Sequence, residues 1–238
     1  MVAMLRHRSA AEPGLCSGMP PRIALVHALR ASIAPIEDAF AAHWPEAAQQ
    51  HLLDDALPAD LERAGRVDAA ITQRFVALAR YAVTAGADAV LFTCSAFGSA
   101  IDAARETVGV PVMKPNEAML EEAVRASGEV ALVATFAPTL RSMVGEAEAA
   151  AAAAGTQVRF RPLHVPGALA ALAVGAEREH EARIVDVVAA HADGVDVVAL
   201  TQFSMARAAP ALRRRVSSRV LTTPDSAVIA LRGLLQRT

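Results

Sequence analysis

Gly86-Ala87-Asp88-Ala89-Val90-Leu91-Phe92-Thr93-Cys94 and Gly194-Val195-Asp196-Val197-Val198-Ala199-Leu200-Thr201-Gln202 are two copies of one pattern, about 108 residues apart. In each, glycine and aspartate lead into four apolar residues, and a threonine and a second chemistry-bearing side chain follow. An apolar run this short and uniform suits a strand of a parallel sheet covered on both faces. Two further segment pairs repeat in the same order at nearly the same offset: Arg22-Ile23-Ala24-Leu25-Val26 with Glu129-Val130-Ala131-Leu132-Val133, and Pro115-Asn116-Glu117-Ala118 with Pro224-Asp225-Ser226-Ala227. Polar positions match as well as apolar ones, so the chain reads as a duplicated unit.

Helical stretches separate the strands. Val67 to Ala85 places Ile71, Phe75, Leu78 and Ala82 along one side, and the Ala-rich segment from Thr139 to Ala154 stops at Gly155, a natural C-terminal cap. Strand and helix in alternation predict an α/β fold of two pseudosymmetric halves, each a parallel sheet flanked by helices, with a cleft between them. The expected division is a disordered tail over 1–20, a first lobe over 21–113 plus 214–238, and a second lobe over 114–213. Met19 is a candidate natural start, and Cys16 falls within the tail.

The 238 residues are 54% hydrophobic and 20% charged, ample for a buried core, with a formal net charge of -2. That charge gives no reason to expect nucleic acid or an anionic membrane as partner. The cluster Arg213, Arg214, Arg215 reads as a solvated helix face. With two cysteines and no apolar run long enough for a bilayer, a reduced cytoplasmic protein is expected. His43, His51, His164, His180 and His191 show no paired ligand spacing, and neither a Gly-rich nucleotide loop nor a Gly-x-Ser-x-Gly elbow is present. No metal and no cofactor are therefore expected.

Ligands of such folds sit outside the carboxyl ends of the strands. There the sequence puts Thr93, Cys94 and Ser95 from one half, and Thr201, Gln202, Phe203 and Ser204 from the other. Cys94 precedes what reads as the start of a helix, whose dipole would lower the thiol pKa and favour an anion beside it. It reads equally as an inert thiol under a loop. Thr135 and Thr139 either cap the helix after the third apolar strand or hold a carboxylate. His27 ends the first strand and is either structural, a ligand-orienting group or a proton carrier. Pocket size rests on the loops Trp44 to Leu61 and Leu163 to Val174.

Residues 87 to 98, Ala-Asp-Ala-Val-Leu-Phe-Thr-Cys-Ser-Ala-Phe-Gly, resemble the first cysteine motif of the aspartate/glutamate racemase superfamily, which includes hydantoin racemases, maleate isomerases and arylmalonate decarboxylases. Gly109-Val110-Pro111-Val112 with Glu117-Ala118, the stretch Val130 to Ser142, and Asp196 to Ala206 are similar to its later landmarks. The resemblance implies an active site between the halves, chemistry without a cofactor, a small carboxylate substrate and, in many members, a homodimer. Its racemases use a thiol on each face of the substrate. Here Cys94 occupies the first cysteine position and Gln202 the second, and an amide cannot trade a proton. The expected function is a racemase or isomerase moving a proton at the carbon next to a carboxylate, with Cys94 as acid/base. Thr93, Ser95, Thr135, Thr139 and Ser204 would hold carboxylate oxygens, and Gln202 would orient the substrate. A single-cysteine decarboxylase or lyase, and a non-catalytic small-acid binding protein, are the alternatives.

Overall fold

The structure is a computed structural model and describes residues 20–126 and 128–237. Cys16 and Met19 lie outside the described residues, as does nearly all of the expected tail. The first half runs β1 (Arg22–His27), α1 (Ile33–His43), β2 (Ala48–Leu53), α2 (Leu57–Ala64), α3 (Ala69–Thr84), β3 (Ala89–Phe92), α4 (Gly98–Arg105) and β4 (Val112–Met113). Then come α5 (Glu117–Ala126), β5 (Glu129–Ala134), α6 (Ala137–Ala154), β6 (Arg159–His164), α7 (Ala168–Ala173) and α8 (Glu177–His191). The chain ends with β7 (Val197–Leu200), α9 (Ala209–Leu212), β8 (Arg219–Thr222) and α10 (Thr223–Leu235).

Two four-stranded parallel sheets result, with orders β2-β1-β3-β4 and β6-β5-β7-β8. The expected duplication is present in detail. Asp88 accepts a bond from the Arg22 N–H at 2.7 Å and Asp196 one from the Glu129 N–H at 2.9 Å, so the same aspartate ties the start of the same strand in both halves. Gly86 and Gly194 both take positive φ, 86° and 75°, where other L-residues pay a steric cost. Gly155, also at positive φ, caps α6 as its sequence indicated.

Both faces of each sheet are covered. In the first, Ala24, Val26, Val90 and Phe92 pack on α3 and α4 through Ile71, Phe75 and Ile101, while Ile23, Leu25, Ala89 and Leu91 pack on α1 through Ile36 and Phe40. Successive strand residues point to opposite faces, so a run apolar at every position is what two-sided burial demands. Asp68 caps α3 by accepting the Ile71 N–H at 2.9 Å. All four edge strands escaped the sequence reading: β2 and β6 carry polar residues on an exposed side, Gln49, Gln50 and His51, and Arg159 and Arg161, β4 is two residues long, and β8 was read only as part of the chain's end.

One boundary needs correcting. Residues 214–238 were expected in the first lobe, yet β8 pairs with β7 from Val197↔Arg219 to Leu200↔Thr222 and completes the second sheet. Only α10 crosses over, burying Ala227, Val228 and Leu231 against Ile23, Leu25 and Leu91. In the reciprocal place α5 follows β4 of the first sheet but buries Met119, Leu120 and Ala123 against Val130 and Leu132 of the second. Each half thus lends its last helix to the other.

Candidate active site

In both sheets the strand order reverses at the inner pair, β1/β3 and β5/β7, which is where loops diverge and leave a crevice. The segments leaving β3 and β7 meet there around a cavity of about 70 Å³. Thr93, Cys94 and Ser95 line it from the first half, and Thr201, Gln202 and Ser204 from the second. Leu29, Leu169, Leu172 and Phe203 supply an apolar wall, and no lining residue is charged. The volume holds on the order of two waters.

Of the residues singled out from sequence, Thr93, Cys94, Ser95, Gln202 and Ser204 meet at this cavity. Thr135, Thr139 and His27 do not line it. The Thr135 N–H and hydroxyl both donate to Gln202 Oε1, at 2.7 and 2.9 Å. A backbone N–H can only donate, so the acceptor is the amide oxygen and the orientation of Gln202 is fixed. The amide NH₂ is left as the group offered to a ligand. Thr139 sits in the first turn of α6, its N–H donating to the Phe136 carbonyl at 3.0 Å. His27 is fully buried, one bond behind the cavity, with Nδ1 2.9 Å from Thr93 Oγ1. Burial, aided by the neighbouring His51, pushes its pKa down to about 4, so the ring is neutral around pH 7. Thr201, placed at the cleft by its sequence, also lines the cavity, as do Ser32 and Pro115, which sequence reasoning missed. Thr201 was visible as the repeat of Thr93, whereas Ser32 carried no signal and Pro115 only its place in the repeat.

The expectation for the Cys94 thiol needs a change of sign. A 3-10 turn, Ser95–Phe97, stands between it and α4, which begins only at Gly98. Burial raises the thiol pKa above its ordinary value, outweighing the bond from the Ala96 N–H that lowers it. In the ligand-free protein Cys94 is a protonated thiol at neutral pH.

A second cluster lies on the seam between halves. Lys114 pairs with Asp102 at 2.7 Å and Arg105 with Glu117 at 2.6 Å. Glu146 of α6 comes up beside Gly98, at the start of α4. Burial raises its pKa; Lys114 opposes this, while Asp102 and Glu117 add to it. Among the described residues, no three His, Cys, Asp or Glu side chains stand together as metal ligands, and no helix is long and apolar enough to cross a membrane.

Known structures share this fold. A glutamate racemase from Bacillus anthracis superposes with a TM-score of 0.70 at 13% identity, over 91% of this chain and 82% of that one. An allantoin racemase from Klebsiella pneumoniae gives 0.64 at 20% identity, over 91% and 88%. A doubly substituted arylmalonate decarboxylase in its liganded form gives 0.57 at 22% identity, over 89% and 92%. At these identities the likeness is one of fold. No curated protein sequence matches the chain. The model of the Asp/Glu/Hydantoin racemase family matches residues 27–231, from the end of β1 into α10 and across both halves. The chain belongs to the Asp/Glu/hydantoin racemase family.

Proposed function

We propose that the protein is a cofactor-independent enzyme of the racemase/isomerase type that moves a proton at the carbon next to the carboxylate of a small acid, with Cys94 as its acid/base. The observation that carries this reading is the meeting of the Cys94 thiol and the fixed Gln202 amide in one cavity between the two sheets' carboxyl ends. Ser95, Ser204 and the Gln202 NH₂ are neutral donors suited to carboxylate oxygens. The apolar wall favours an acid with an apolar substituent over one bearing a second charge. Proton transfer by a positioned thiol contributes on the order of 10²–10⁴ in rate. Cytoplasmic residence and a homodimer, as in many members of the family, complete the proposal.

A second reading, a decarboxylase or lyase, is supported by two features. With Gln202 at the second position, Cys94 is the one titrating group among the described residues lining the cavity, and its raised pKa makes it a donor before it is a base. Such a thiol is suited to protonating a carbanion after carbon dioxide leaves. The test is incubation of small 2-substituted acids and disubstituted malonates in deuterium oxide with wild type and Cys94→Ala. Exchange or inversion without loss of carbon, abolished in Cys94→Ala, supports the first reading. Carbon dioxide release with a single deuterium incorporated supports the second. Equal exchange in both proteins removes Cys94 from the mechanism.

A further inference from the structure

Behind the cavity, four polar side chains form one row from the active site to the surface. Thr93 follows β3, His27 ends β1, His51 lies on β2 and Glu37 on α1. Thr93 Oγ1 is 2.9 Å from His27 Nδ1, His27 Nε2 is 3.0 Å from His51 Nδ1, and His51 Nε2 is 3.6 Å from Glu37 Oε1. The two rings lie within 11° of parallel with centroids 5.2 Å apart. A nitrogen pair at 3.0 Å together with that centroid distance means the rings meet edge to edge, in the geometry of a hydrogen bond. The His27 end is sealed, whereas the His51 and Glu37 side chains are 28% and 52% exposed.

The donor inventory makes this row directional. A neutral imidazole has one N–H and one acceptor nitrogen, so the direction of one link fixes the next. With His51 neutral and its Nε2–H turned to Glu37, His51 Nδ1 accepts from His27 Nε2–H, and His27 Nδ1 accepts the Thr93 hydroxyl hydrogen. Thr93 then has only lone pairs for the cavity. With His51 protonated, its Nδ1–H donates to His27 Nε2. His27 must carry its hydrogen on Nδ1 and donate to Thr93 Oγ1. The Thr93 hydrogen becomes free, its protein alternative being the Val26 carbonyl at a long 3.4 Å.

We propose that Glu37, His51 and His27 are positioning residues that set, through the direction of this row, whether Thr93 donates to or only accepts from a ligand, so that the row with its extra proton held at His51 binds a carboxylate in the cavity more strongly. The conversion balances as one net proton. His27 Nε2–H passes its proton to His51 Nδ1, His27 Nδ1 takes the Thr93 proton, and Thr93 Oγ1 is replenished by the one net proton that acidified solvent delivers through the cavity. His27 never becomes a cation, in keeping with its sealed position and lowered pKa. The other charged groups at this end of β1 and β2 already have partners: Asp54, whose N–H donates to the His27 carbonyl, is held by Arg74, and Arg30 pairs with Asp55 at 3.0 Å.

The ligand half of this proposal rests on the reading of the cavity as a carboxylate site, and the test separates the two. Imidazole ¹⁵N shifts report the His27 tautomer in the ligand-free protein between about pH 8.5 and pH 5.5. Acetate titrations, followed at the amides of Cys94 and Gln202, report affinity over the same range. The expected result is a His27 switch from Nε2–H to Nδ1–H as the pH is lowered, with acetate affinity rising roughly tenfold, the weight of one hydrogen bond to a charged group. In His51→Gln both changes are lost, and in Thr93→Val acetate affinity becomes independent of pH. A His27 tautomer unchanged across the range overturns the row as a device even where acetate binds. A switching tautomer with no acetate at the cavity overturns the carboxylate reading instead, and the ligand half with it.

Discussion

His27→Gln is predicted to change how the protein tolerates acid more than how it behaves at neutral pH. His27 is 0% exposed and its pKa is held at about 4 instead of 6.5, first by burial and then by His51. The folded state therefore refuses a proton that the unfolded chain accepts. The stability tied to this neutral ring is complete above pH 6.5 and falls away as the pH drops toward 4. At 1.36 kcal/mol per pH unit, the interval from 6.5 to about 4 amounts to about 3 kcal/mol. For a chain of this size that corresponds to roughly 6–12 °C in Tm. Glutamine carries no titrating proton, so the variant lacks this component. It starts lower at pH 7, having lost the fit between Thr93 and His51, but declines less steeply. Scanning calorimetry of both proteins at half-unit steps from pH 7 to pH 4 gives the double difference, from which the carboxylates common to both cancel. Parallel curves would show that the ring is not held neutral by the fold and would refute the reasoning.

Four further outcomes follow from the site and the seam. Iodoacetamide should label Cys94 slowly at pH 7, with a half-maximal rate above pH 9.0, read by mass spectrometry on the peptide carrying it; rapid labelling at neutral pH would mean a thiolate. Thr135→Val removes one of the two bonds that aim Gln202, so kcat/KM should fall roughly tenfold with melting little changed, and an unaltered kcat/KM would separate the amide from turnover. Gln202→Cys puts a second thiol in the cavity, and racemisation of a single-enantiomer substrate, followed by chiral chromatography, should appear or accelerate; no change in rate counts against a two-faced site. Glu146→Gln should raise Tm at pH 8 more than at pH 4. A carboxyl whose folded pKa is raised binds its proton more tightly in the folded state, so stability falls as pH rises through that range, and the neutral side chain is exempt.

The inner strands were legible because burial on both sheet faces leaves an unbroken apolar run, as in Val130 to Val133. The edge strands were not, since Gln49, Gln50 and His51 read as loop when only continuous hydrophobicity is sought. The meeting of Cys94 with Gln202 was readable from the repeat because equivalent strand ends face one crevice. The task of Thr135 was not, because its bond to Gln202 spans 67 residues and its local context fits a helix cap equally well. His51 stayed hidden for the same reason, as its partner His27 lies on another strand at a register no spacing rule contains. The thiol's sign was misread because dipole arguments depend on where a helix truly starts, and three residues of 3-10 turn were enough to let burial win.

The reciprocal loan of α5 and α10 has a mechanical meaning. Neither sheet keeps its full covering if its neighbour is taken away: without 117–126 only α6 remains over Val130 and Leu132, and without 223–235 only α1 remains over Ile23 and Leu25. A cut made anywhere between the halves therefore leaves two pieces that still clasp each other, and neither piece produced by itself has a finished interior. The two crossovers also meet each other, the Ser226 hydroxyl donating to Glu122 at 2.8 Å, so the exchange is knotted at one seam.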